Sequence, residues 1–66
     1  MSDIDVELTS REIIVRDWTG RAANHRMAAI ARSHVPGERL RLTADGWHRH
    51  GVCHERVYSR IDNLSR

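Results

Sequence analysis

Arg39-Leu40-Arg41-Leu42-Thr43-Ala44-Asp45-Gly46-Trp47-His48-Arg49-His50 is the stretch on which the fold turns. As a helix, Thr43 caps a short segment from Ala44 to His50 that packs through Trp47 and leads into a turn at Gly51. As a hairpin, Arg39 to Leu42 alternates into Asp45-Gly46, a strong two-residue turn signal, and returns through Trp47 to His50. The helix is the expectation here, and it makes the chain mainly α, with three to four short helices. The alternative is an α+β domain with a hairpin at about 39–50 followed by a C-terminal helix.

The next segment, Gly51-Val52-Cys53-His54-Glu55-Arg56-Val57-Tyr58-Ser59-Arg60-Ile61-Asp62-Asn63-Leu64, reads as a helix under either choice and completes a helix-turn-helix under the first. Val57, Ile61 and Leu64 recur at helical spacing, which turns one apolar stripe inward and leaves His54, Glu55, Arg56, Ser59 and Arg60 outward. Over residues 43–64 the chain resembles small helix-turn-helix DNA-binding proteins. Gly51-Val52 falls at the turn and Val57 at the buried position of the second helix. The pattern departs at Trp47, where a small residue is usual, at His50, where an apolar one is usual, and at Cys53, a poor cap. The resemblance implies a C-terminal helix-turn-helix in which Arg49, His54, Glu55, Arg56, Ser59 and Arg60 contact DNA. The residue types suit that role: arginine forks onto guanine, glutamate accepts from cytosine, and serine bonds phosphate.

Upstream, Ile4, Val6 and Leu8 alternate with Asp3, Asp5 and Glu7, so residues 1–8 read as an acidic arm or a short strand. Thr9 and Glu12 match a capping box, with Ile13, Ile14 and Trp18 as the apolar face of the helix that follows. Gly20 interrupts, and Thr19 is placed to cap a second helix from Arg21 to about His34. Its buried stripe is Ala23, Met27, Ile30 and Ala31. Val35-Pro36-Gly37 ends it. Trp18 and Trp47 are expected to pack in the core, with exposure of one of them as a partner anchor the alternative.

The 66 residues form a single small domain, 1–66, whose core is marginal at this size, so a homodimer is expected. All eleven basic residues are arginine, against nine acidic ones. Residues 1–12 sum to −3 and the remainder to +5, a distribution suited to an anionic partner. No apolar run approaches the roughly 20 residues of a membrane span, and the acidic start is unlike a secretory signal, so a soluble, cytoplasmic protein is expected. His48, His50, Cys53 and His54 lie close in sequence but lack a second spaced ligand pair, and read as a solvated basic cluster. No catalytic residue, metal or cofactor is expected. The expected function is that of a small sequence-specific regulator on double-stranded DNA, of phage or mobile-element type, acting sterically. The rival is a protein-binding inhibitor, antitoxin or assembly module that docks through Trp47 and surface arginines.

Overall fold

The computed structural model describes residues 3–48 and 51–61. Strands β1 (Ile4–Leu8) and β2 (Glu12–Asp17) form a hairpin, and helix α1 (Asn24–His34) crosses to β3 (Leu40–His48). Strand β4 (Cys53–Arg60) then turns back and inserts between β2 and β3, giving the order β1-β2-β4-β3. Every pair is antiparallel. It follows that β2 and β3 run in the same direction and α1 is the crossover between them, with β4 filling the gap.

The sheet begins in β2, where Ile13, Val15 and Asp17 are buried and alternate with half-buried Ile14 and Arg16. Consecutive β-branched residues favour the extended backbone, and period-two burial turns one face to the helix. Met27 and Ala31 of α1 pack on Ile13, Val15 and Tyr58, with Ile4, Val6, Ile30 and Leu40 around them. Ala23, expected in the buried stripe, is exposed at the helix entry.

Thr9 does make the bond expected of a cap, but for a turn. Its Oγ1 accepts from the Glu12 amide at 2.9 Å, and the Thr9 amide donates to the Glu12 carbonyl at 2.9 Å. The same side-chain chemistry serves helix starts and tight turns, and here the antiparallel pairing of Leu8 with Ile13 makes it a hairpin. The expected helix over Ile13, Ile14 and Trp18 is therefore a strand. Thr19 does not cap α1 either; its amide and hydroxyl both donate to Asp17 Oδ1, at 2.9 and 2.6 Å.

The mainly α expectation, with its C-terminal helix-turn-helix, is overturned: the described residues hold one helix and a four-stranded antiparallel sheet. The hairpin alternative is nearer, but its turn is misplaced and the helix it puts after the hairpin is strand β4. Asp45-Gly46 lies inside β3, and the reversal comes after His48, whose carbonyl accepts from the Gly51 amide at 3.2 Å. Gly51 supplies the left-handed backbone that this turn requires, at φ 83°. Residues 53–60 are strand because their burial alternates every two residues, with His54, Arg56 and Tyr58 inward. Val57 sits half-buried on the opposite face, so the stripe it was expected to share with Ile61 does not form. Leu64, Arg49 and His50 lie outside the described residues.

Asp17 ties β2 to α1. Completely buried, its carboxylate accepts from Thr19 through Oδ1 and from the Ala22 amide through Oδ2 at 2.7 Å. Burial pushes the carboxyl up, but the Thr19 hydroxyl and the Ala22, Thr19 and Gly20 amides outweigh it and hold it below its ordinary value. That stabilisation is present above the unfolded-state value and vanishes as pH falls through the folded one. Asp17→Asn should cost about 2 kcal/mol at neutral pH, because bonds to a charged acceptor are lost. In urea titrations the gap to the wild type should be full above the ordinary carboxyl range and narrow as pH falls below it. A gap constant with pH would show that the charge contributes nothing.

Candidate functional site

The two sheet faces differ. Register places Leu40, Leu42, Asp45 and Trp47 of β3 on the helix side with Arg60, Tyr58, Arg56 and His54 of β4. Parity is kept across a bulge between Leu42 and Ala44, where one extra residue reaims the strand. Beyond that bulge the helix-side face carries a connected polar and aromatic cluster. His54 Nε2 meets Asp45 Oδ1 at 2.5 Å, and Arg56 Nε lies 3.6 Å from Asp45 Oδ2. Arg56 also donates from Nη1 to the Asn24 carbonyl at 3.0 Å and lies over the Tyr58 ring at 5.6 Å.

Trp47 stacks on His54, with ring centroids 4.7 Å apart and planes inclined by 12°. On its other flank the indole crosses Gly20, where an added Cβ would stand 2.9 Å from Trp47 Cζ3. Gly20 is thus the seat of the ring. Despite both contacts Trp47 is 53% exposed, and Val52 beside the turn is 55% exposed. Two large apolar groups therefore remain in water at the β3–β4 end, one of them held in a fixed orientation by a stack and a hydrogen-bonded imidazole.

On the open face Arg16 donates to Glu55 at 2.7 Å and Glu7 at 3.0 Å, while His48 Nε2 meets the second Glu55 oxygen at 2.9 Å. Burial pushes the Glu55 carboxyl up, and the bond from Arg16 with the charges of His48 and Arg16 brings it below its ordinary value. Arg16 is raised in turn, chiefly by its bond to Glu55. A cavity of about 440 Å³ lies over Arg16, Trp18, His48, Cys53 and Glu55. Cys53 is buried and directly opposite His48 in register. Among the described residues no group of three or more potential ligands is placed to hold a metal ion.

The residues expected to contact DNA do not share a surface. His54 and Arg56 are buried on the helix side, and Glu55 and Ser59 are half-buried on the open face. Arg60 forks onto both Glu38 oxygens at 2.8 Å and donates to the Thr9 carbonyl at 2.7 Å. The Glu38 bonds raise its guanidinium above the ordinary value. Arg49 lies outside the described residues. Asp45 and Gly20, which build the Trp47 seat, carry no motif: Asp45 reads as a turn residue and Gly20 as a helix breaker. No protein-family model, curated protein or solved structure matches the chain. Among the described residues no helix is long and apolar enough to cross a membrane.

Gly20→Ala tests the seat. Gly20 has φ 70°, so the added methyl is strained in its backbone as well as crowded by the ring. The substitution should cost about 2 kcal/mol and move the Trp47 indole N–H resonance, read by thermal melts and two-dimensional NMR. An unmoved indole would show that the ring does not rest there.

Proposed function

We propose that this chain is a protein-binding module without catalytic chemistry, and that Trp47 is its anchor. The observation that carries the reading is a half-exposed tryptophan stacked on His54 and packed against Gly20. A large side chain already fixed in one orientation loses little entropy on binding, which is why tryptophan dominates interface energetics. Val52, exposed beside the turn at the same end of β3 and β4, widens the apolar contact. The matching partner is a protein that presents an apolar side chain to the indole. An inhibitor, antitoxin or assembly factor would meet that description.

The expectation of DNA reading loses its basis with the recognition helix. Its arginines at 56 and 60 are spent on carbonyls and carboxylates of the same chain. The test compares immobilised wild type and Trp47→Ala as baits, then titrates each differentially retained protein, purified, by calorimetry. Trp47→Ala should weaken binding about 30-fold, a hot-spot loss of about 2 kcal/mol. Equal affinity for both baits, or a gel shift of duplex DNA at low salt with no protein ligand found, would overturn the reading.

A further inference from the structure

The two edges of the sheet are complementary to each other. Among the described strands β1 and β3 are the outer two of the sheet. On β1, Ile4 and Val6 lie on the helix side opposite Asp17 and Val15, so Asp5 and Glu7 lie on the open face. On β3 before the bulge, Leu40 and Leu42 lie on the helix side and Arg41 on the open face opposite Ser59. One edge therefore alternates aliphatic with acidic, and the other aliphatic with basic. The three antiparallel pairings also make β1 and β3 run in opposite directions. A second copy translated across the sheet thus brings its β1 antiparallel to the first copy's β3, continuing the ladder without a change of hand.

A second observation marks the same place. A cavity of about 620 Å³ runs beside β1 under α1, with Ile4, Val6, Ala22 and Ile30 as its apolar wall. It lies on the helix side, where the neighbour's Leu40 and Leu42 would arrive. Leu42 is 41% exposed in the single chain.

We infer that the chain assembles head to tail with further copies of itself, β3 of one pairing with β1 of the next. The register that matches both faces sets Arg41 against Asp5, Leu40 against Val6 and Leu42 against Ile4. Leu42 then fills the cavity beside β1, and the Arg41–Asp5 pair forms on the open face. Asp5 already accepts from Trp18 Nε1 at 2.9 Å and has lone pairs to spare for the guanidinium. The contact ends at the bulge after Leu42, so the Trp47 patch stays clear of it. Because the two surfaces differ, each added copy presents the same edges again, and growth continues past the dimer unless a ring closes.

Sedimentation velocity over a concentration series tests this with the intact chain. The wild type should pass twice the monomer mass as concentration rises, with weaker assembly at high salt. Arg41→Glu alone and Asp5→Arg alone should each remain monomeric, since each sets like charges against one another. Mixed in equal amounts they should assemble again. The carboxylate introduced on one variant's β3 then faces the guanidinium introduced on the other's β1, and the unaltered edges still match. Leu42→Lys, which leaves Asp5 and its bond to Trp18 untouched, should also remain monomeric, with circular dichroism confirming the fold of every variant. Trp47→Ala should assemble like the wild type, which separates this contact from the docking patch. A wild type monomeric at every concentration, assembly that survives both charge reversals, no rescue on mixing, or loss of assembly in Trp47→Ala would each overturn the inference.

Discussion

Everything in this fold depends on a charged strand held at the centre of a sheet. β4 lies between β2 and β3 and carries His54, Glu55, Arg56 and Arg60, residue types that are rarely enclosed without partners. Each has one: Asp45 for His54 and Arg56, Arg16 and His48 for Glu55, Glu38 and the Thr9 carbonyl for Arg60. These pairs reach from β4 to both neighbouring strands and to the segments before β2 and β3. A short chain whose core cluster among the described residues is Ile13, Val15, Met27, Ala31 and Tyr58 gains its definition from them. Truncating one partner leaves a buried charge unpaired, a cost that commonly exceeds the net worth of the pair.

That arrangement also explains what could be read from the sequence. α1 was legible because its alanines, the Met27 and Ala31 spacing and the Val35-Pro36-Gly37 stop all agree with one another. The alternation of Ile4, Val6 and Leu8 showed the first strand as one of two options. β4 was illegible because its inward positions hold histidine and arginine, so no period-two apolar signal exists to set against the accidental spacing of Val57, Ile61 and Leu64. Partners such as Asp45 and Glu38 lie 9 to 22 residues away in the chain, and only the pairing of strands reveals them. Asp45-Gly46 misled for the same reason. Asp45 is kept extended by His54 across the ladder, and the glycine needed for reversal is Gly51.

The candidate site follows from the same strand. His54 can hold Trp47 in place only because Asp45 fixes the imidazole, and Gly20 can receive the ring only because Asp17 gathers the loop through Thr19 and Ala22. Trp47, expected to pack in the core with a partner anchor as the alternative, is exposed, and its seat joins three segments far apart in the chain. The sheet also distributes charge. β1 carries Asp5 and Glu7, whereas the arginines beyond it are spread over β2, α1, β3 and β4. Of the arginines that suggest an anionic ligand in one dimension, Arg16, Arg56 and Arg60 are held in the fold by carboxylates and carbonyls of the same chain.

Native-state amide hydrogen exchange followed by NMR measures the central claim most directly. If β4 is the pinned middle strand, the amides of Arg56 and Tyr58 should exchange only through global unfolding, more slowly than those of β1. Arg56 and Tyr58 exchanging as fast as the edge strands would contradict the account, since a strand held on both sides cannot open alone.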